Sequence, residues 1–304
     1  MSLRAAPEAG GAHRSGRVAL VGRPNVGKST LLNHLVGSRI SITSGRPQTT
    51  RQRVTGIVTR PDAQIEFVDT PGFQTEHRSA LNSAMNRSVT AGLKDVDAVV
   101  WLVEPLQYGE RDAAVAALLP RGIPVVVAIN KTDTLGDKTR LLPFIARLAE
   151  LRAFEAIIPI SAAKGWQTRE LLGAIVRLLP EGPPLHDEDD ITTASERFLA
   201  AELLREKLFR RLGDELPYAS SVEIEHFKQE RGLRTIHASI VVDKEGQKAI
   251  VIGKGGLQLK NIATQARRDM EQLFGGKVFL EVWVKVKRGW AESAATLRRL
   301  GFDD

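Results

Sequence analysis

Short apolar runs recur through the first half of the chain, each closed by a glycine-rich or polar break, and segments of helical period lie between them. Arg17 to Val21 predicts a short buried strand and Ser29 to Val36 a helix. Gln52 to Thr59 and Gln64 to Val68 alternate as two strands of a hairpin that turns at Arg60, Pro61 and Asp62. Val96 to Val103, Pro124 to Ile129 and Ala156 to Ile160 are further apolar strands, separated by predicted helices at Asp112 to Leu119 and Leu141 to Leu151. Strands alternating with helices in this way build an α/β domain on a mixed, mostly parallel sheet. Ser38 to Arg51 and Thr70 to Arg87 break the pattern, and both are expected to be mobile loops.

Prolines, Gly182 and the acidic run Asp187 to Asp190 leave no regular element between Leu179 and Thr192, which predicts a linker over residues 181–192. It separates a first domain at residues 17–180 from a second at residues 193–304, and residues 1–16 read as a disordered tail. Thr193 and Glu196 have capping-box spacing ahead of a helix whose Ala201, Leu204, Leu208 and Leu212 share one face. Strands follow at Ser220 to Phe227 and Thr235 to Val242, then a helix at Leu257 to Phe274 and a strand at Lys277 to Val286. Helix, strand, strand, helix, strand makes a smaller α+β layer. In the last strand Val278, Leu280, Val282, Val284 and Val286 alternate with Phe279, Glu281, Trp283, Lys285 and Lys287, so the valine-rich face belongs to the core. Trp283 stands on the other face, placed either to stack on a base or to lie half-buried in its own domain. A short helix ending in Leu297 to Leu300 closes the chain.

Length and charge narrow the class. A chain of 304 residues suffices for two cores. Its formal net charge of +7 suits a polyanionic partner such as RNA, anionic lipid or an acidic protein, without selecting among them. The absence of cysteine excludes disulfides, thiolate metal sites and cysteine nucleophiles. No apolar run approaches the ~20 residues that span a bilayer, and the first residues lack a secretory core, so a cytoplasmic location is expected.

The candidate chemistry sits where the apolar runs end. GRPNVGKST, Gly22 to Thr30, follows the first strand and opens the first helix, which is the context of a phosphate-binding loop. Gly22 and Gly27 let the backbone through Arg23, Pro24, Asn25 and Val26 turn its N–H groups on a phosphate; Lys28 adds a cation, and Ser29 offers a hydroxyl to Mg2+. DTPGF, comprising Asp69, Thr70, Pro71, Gly72 and Phe73, ends the hairpin's second strand. Asp69 suits Mg2+ through its water shell, and the Gly72 N–H suits a γ-phosphate whose loss lets the following loop relax.

NKTD, comprising Asn130, Lys131, Thr132 and Asp133, suits guanine. The Asp133 carboxylate can accept the N1–H and the exocyclic amino group, two donors that adenine does not present together. Asn130 can bond the other edge, and the Lys131 methylenes can cover the ring. Ser161, Ala162 and Ala163 follow the domain's last strand, where a backbone N–H can meet the guanine carbonyl oxygen. A turn or a capped helix start explains each motif singly. The ordered set, placed at strand ends where doubly wound sheets bind ligands, points to a guanine nucleotide site.

In the second domain GKGG stands between an apolar segment and a helix, so Ile252, Gly253, Lys254, Gly255, Gly256 and Leu257 can bring a phosphodiester backbone to a helix N-terminus. Every charge from Lys248 to Arg268 is positive, including Lys260, Arg267 and Arg268.

GRPNVGKS, the paired Thr49 and Thr50, DTPG, NKTD and SAAKG together resemble the five signatures of translation-factor-class GTPases, and RISITS, QTTR and DTPGF resemble the Era subfamily. The resemblance implies a P-loop GTPase domain that binds GTP with Mg2+ and hydrolyses it to GDP and phosphate, slowly without stimulation. It makes Thr50 the switch threonine on Mg2+, with Thr49 as the alternative. Phe73 stands where small signalling GTPases carry a glutamine, and its side chain cannot orient water. Asn25 occupies a position that in similar GTPases coordinates K+ as an activator, or else it shapes the loop alone.

VIGKGG in its basic setting resembles a type II KH domain, which clamps about four single-stranded nucleotides. ELPY, EGQKAIVIGKGG and VWVKVKRGW extend the Era resemblance to the end of the chain. The implied role is GTP-dependent binding of the 3′ end of 16S ribosomal RNA in maturation of the small (30S) ribosomal subunit, by a monomeric bacterial protein. The alternative is a regulatory GTPase on the inner face of the cell membrane, coupling growth or cell-cycle state to a protein or lipid partner.

Overall fold

β4 (Ala98–Val103) and β5 (Val125–Ile129) are apolar and buried at every position, a pattern that fits strands covered on both faces. They belong to the first of two units into which the chain divides, the second formed mainly by the chain from Ala194 onward. The computed structural model describes residues 12–43, 51–73, 80–213 and 216–293.

Around these strands lie β1 (Arg14–Val21), β2 (Val54–Thr59), β3 (Ala63–Asp69) and β6 (Ala156–Pro159), in the sheet order β2-β3-β1-β4-β5-β6. β2 runs antiparallel to β3, and the other pairings are parallel. The connecting helices are α1 (Lys28–Val36), α2 (Ala80–Gly92), α3 (Glu110–Leu118), α4 (Leu141–Ala149) and α5 (Thr168–Val176). α4 shows why they cover the sheet: Leu141, Phe144 and Leu148 recur on one face and are buried, while Leu142 between them is 70% exposed. Strand order reverses at β1, which leaves a ligand crevice at the carboxyl ends of β1, β3 and β4.

Several expectations need correction. The tail expected over residues 1–16 ends sooner, because β1 starts at Arg14 rather than Arg17: Arg14, Ser15 and Gly16 pair with Ala63, Gln64 and Ile65. The loop expected from Thr70 to Arg87 is helical from Ala80, where α2 buries Met85 and Val89 one turn apart. Residues 181–192 form no helix or strand, yet they are tied to the sheet. The Gly182 N–H donates to His13 O (3.0 Å), and Gln64 Oε1 accepts from the amides of Leu185 (2.6 Å) and His186 (2.8 Å). Ile57 N–H donates to Ile191 O (2.9 Å), and Thr192 Oγ1 donates to Thr55 O (2.5 Å). Proline and glycine thus prevent regular structure here without preventing order.

The second unit comprises α6 (Glu196–Arg211), β7 (Ser220–Glu230), β8 (Leu233–Val242), α7 (Glu245–Ile252), α8 (Leu257–Phe274) and β9 (Lys277–Val286). Its sheet runs β7-β8-β9, antiparallel then parallel, and Leu204, Leu208, Ile236, Ile240, Ile262, Met270 and Val284 share its core. The expected order lacked α7, which occupies EGQKAIVI ahead of GKGG. The expected capping box is also displaced. Ser195, not Thr193, caps α6, its Oγ accepting from Phe198 N–H at 3.2 Å. β7 and β8 run further toward each other than KQERGL suggested and turn at Arg231 and Gly232, both at positive φ (48° and 78°), as a tight hairpin turn requires. Leu297 to Leu300 lie outside the described residues.

Candidate functional site

The phosphate loop leaves β1 at Val21 and enters α1 at Lys28. Lys28 is 6% exposed, and its ammonium donates to the backbone carbonyls of Gly22 (2.9 Å) and Arg23 (3.0 Å). Burial pulls its pKa from 10.5 to about 8, opposed by the attraction of Asp69. Ser29 Oγ donates to Asp69 Oδ2 at 2.6 Å. Beside a phosphate cradle, this hydroxyl and carboxylate are hard oxygen donors of the kind Mg2+ takes, and the residues present fit that ion. Thr49 and Thr50 lie outside the described residues.

The rest of the loop is held by its neighbours. Asn25 adopts a positive φ of 63°, which asparagine tolerates better than most residues. Arg23 reaches Gln107 (2.8 Å) and Glu104 (3.3 Å), and Glu104 in turn receives the Lys131 ammonium at 2.6 Å. Gly72 passes so close to the phosphate loop that a Cβ on it would stand 2.8 Å from Pro24 Cα. Thr70 Oγ1 donates to Leu20 O at 2.8 Å. Phe73 packs against the hydrophobic cluster containing Trp101 and Val103, which gives its ring a structural use.

Two loops form the candidate base site. Asn130 is 2% exposed; its Nδ2 donates to Val26 O (2.8 Å) and its Oδ1 accepts from Ala162 N–H (2.9 Å). One side chain therefore ties the phosphate loop to the Ser161–Ala163 loop, a scaffolding contact beyond the base contact expected of it. Asp133 Oδ1 accepts from Ser161 Oγ at 2.6 Å, and Thr132 Oγ1 donates to Ile160 O at 2.8 Å. The Ala163 N–H has no acceptor among the described residues. Lys131 takes positive φ (66°) as its chain runs to Glu104. All four expected motifs meet at the ends of β1, β3, β5 and β6.

In the second unit GKGG links α7 to α8. Gly255 (φ 59°) and Gly256 (φ 77°) are left-handed, and a Cβ on either would meet nothing within 4 Å, so the turn is open to solvent. At Gly253 a Cβ would stand 2.6 Å from Gln258 Cβ, which makes that glycine a packing requirement. Leu257 is 62% exposed and Ile250, at the end of α7, 58%. Sequence reading missed Ile250 because it did not place AIVI on a helix; helical spacing with Val251 in the core would have turned Ile250 outward. Lys254, Lys260 and Arg268 have no acidic partner among the described residues, whereas Arg267 pairs with Glu271 at 2.6 Å. That ion pair commits Arg267 within α8.

The sequence pattern of the family described as 50S ribosome-binding GTPase matches residues 17–131, and that of the KH domain matches residues 215–291. GTPase Era of Nitrosomonas eutropha is 54% identical over 96% of this chain and 98% of its own length. The chain belongs to the GTPase Era family. The Chromobacterium violaceum member is 55% identical over 95% of this chain and 97% of its own. Among solved structures, Era in complex with MgGDPNP and nucleotides 1506–1542 of 16S ribosomal RNA superimposes with a TM-score of 0.92 at 38% identity. It covers 96% of this chain and 100% of the other. An Aquifex aeolicus Era variant bound to GDP and AlF4− has the same score, identity and coverage. GTP hydrolysis is thus the activity of this family, on a P-loop GTPase domain followed by a KH domain. No helix among the described residues is long and apolar enough to cross a membrane.

Proposed function

We propose that the chain is a GTP-dependent RNA clamp. Residues 17–180 hold and hydrolyse GTP, and residues 193–304 grip the single-stranded 3′ end of 16S ribosomal RNA in the GTP state and release it with GDP, during 30S maturation in the cytoplasm. The observation that carries this reading is the conjunction, in one chain, of Asp133 and Asn130 on the Ser161–Ala163 loop with an open GKGG turn heading α8. It is supported by the related Era structure that contains both MgGDPNP and 16S ribosomal RNA nucleotides.

In this proposal Lys28 and the loop amides from Gly22 onward take the β-phosphate, and the Gly72 N–H takes the γ-phosphate. Ser29, Asp69 and Thr50 hold Mg2+, which supplies charge neutralisation between the β- and γ-phosphates. Asp133 reads the guanine N1–H and amino group, and the Ala162–Ala163 backbone faces its carbonyl oxygen. With Phe73 engaged in packing, Asn25 is assigned as a ligand for K+ beside the phosphates. Phosphate release is then several-fold faster in K+ than in Na+ at equal ionic strength, and equal rates would remove that assignment.

The test of the clamp is binding of a labelled RNA copying the 3′ end of 16S ribosomal RNA, against a scrambled RNA and anionic vesicles, with GDP or a non-hydrolysable GTP analogue. Selective binding with the analogue alone is expected. Salt-sensitive vesicle binding without RNA preference would instead support peripheral membrane association. Asp133→Asn is expected to lower GTP affinity roughly 10- to 100-fold and to favour xanthosine triphosphate, read by nucleotide competition. Unchanged GTP preference would exclude Asp133 from base reading.

A further inference from the structure

The loop that follows β6 is short, closed and gripped from outside. Backbone bonds in both directions between Ser161 and Trp166, each 3.1 Å, close it, and Ser161 Oγ both donates to Asp133 and accepts from Lys164 N–H at 3.2 Å. Besides Asn130 and Asp133 at its start, two contacts reach its Gly165–Trp166 end from other elements. His34, in the last turn of α1, has Nε2 3.2 Å from Thr168 Oγ1, and that hydroxyl spends its proton on Gly165 O at 3.0 Å. The hydroxyl can therefore only accept from His34, which gives a directed chain from His34 through Thr168 to Gly165. A Cβ on Gly165 (φ 71°) would stand 2.6 Å from the His34 ring, so the approach is close. The second contact is the Lys138 ammonium, 4.5 Å from the centroid of the Trp166 ring, which is 45% exposed. Lys138 lies in the single turn after NKTD, whose cap Asp137 accepts from Thr139 N–H at 2.9 Å.

We infer that His34 and Lys138 clasp the Ser161–Trp166 loop in its base-binding position and set the rate at which nucleotide leaves. The inference rests on reading residues 130–133 and 161–163 as the guanine site. The physical reason is that the loop presents its contacts through Ser161 and the Ala162–Ala163 backbone, so any opening of its Gly165–Trp166 end loosens them together. His34 ties that end to the helix of the phosphate loop, and Lys138 ties it to the loop carrying Asp133. An exposed cation over a tryptophan is a modest contact, suited to adjusting a rate without deciding whether the site forms. His34, Lys138 and Trp166 are positioning residues.

The test uses the full chain loaded with a fluorescent GDP and chased with excess GDP in Mg2+ buffer. Lys138→Gln and Trp166→Ala are each expected to speed release roughly two- to five-fold, and the double variant no further than the faster single one, because both remove one contact. Lys138→Arg and Trp166→Phe keep slow release. Steady-state hydrolysis is expected to show the change as a raised KM for GTP with little change in kcat, whereas a merely structural role would lower active protein and hence apparent kcat. Additive effects, or release at the parent's rate in Lys138→Gln, His34→Ala and Trp166→Ala alike, would overturn the clasp. Failure of the parent itself to bind guanine nucleotide would overturn the site reading beneath it.

Discussion

Lys28→Met is expected to remove nearly all GTP binding while leaving the nucleotide-free protein at least as stable as its parent. The two effects have opposite signs because one group causes both. In the free protein the ammonium is buried, and its pKa falls to about 8 because desolvation outweighs Asp69. The unfolded chain holds that proton up to about 10.5, so between about pH 8 and 10.5 the unfolded state binds more protons and stability from this group rises with pH. Below pH 8 the penalty is fully present. Methionine removes it but leaves the Gly22 and Arg23 carbonyls without their donor, so a net gain of about 1 kcal/mol at pH 7 is expected from urea unfolding. The gain should shrink toward pH 10. Binding moves the other way, because a charge-assisted contact in a desolvated cradle is worth roughly 3 to 4 kcal/mol, or on the order of 100- to 1000-fold in affinity. In the parent, GDP affinity is expected to fall as pH rises through about 8, when the free protein loses the cation the phosphates need. Calorimetry at pH 7 and 9.5 reads both; unchanged affinity in Lys28→Met would take the lysine out of the phosphate site.

The nucleotide motifs were legible because their chemistry needs contiguous residues at the end of a strand, and β1, β3, β5 and β6 each end at one of those motifs. The bonds that fix them were not legible. Asn130 reaches Val26 and Ala162 across long stretches of sequence, and no spacing announces it. The same holds for His34 and Lys138. The start of α6 shows how a distant partner decides between local signals. Thr192, Thr193 and Ser195 all offer a capping hydroxyl. Ser195 caps the helix, while Thr192 is drawn to Thr55 on β2 and Glu196 engages Arg234 of β8 through two bonds of 2.7 Å. α2 escaped notice because ALNSAMNRSVTAG is mostly small and polar, with Met85 and Val89 as its clearest inward pair. α7 escaped because AIVI reads equally as strand or helix when its length is short. Arg14 to Gly16 joined a strand by pairing with β3, although glycine and charge around them suggested a loose tail.

Lys254→Asp combined with Gly255→Asp is expected to reduce affinity for the 3′ RNA by at least about 100-fold at physiological salt. One ammonium is lost and two carboxylates are placed beside the N-terminus of α8, where a phosphodiester would otherwise meet the positive end of the helix. The choice of Gly255 follows from its surroundings. A side chain there meets nothing within 4 Å, and aspartate tolerates its left-handed φ of 59° better than most residues. Gly253 would be a poor choice, because crowding against Gln258 would damage the turn itself and confuse lost binding with lost structure. The thermal midpoint of the double variant is therefore expected to stay within a few degrees of the parent's, which makes lost binding attributable to charge. The salt dependence of the parent's binding should also flatten in the variant, since fewer cations remain to displace counterions. Full affinity in the variant would place the RNA elsewhere. The open sheet face would then be the next surface to test, where Phe279 is 50% exposed and His237 lies 6.4 Å from its ring and 6.0 Å from that of Trp283. Stacked bases there would be lost with Trp283→Ala and indifferent to charge at Lys254, so the two variants separate a backbone clamp from a base-stacking platform.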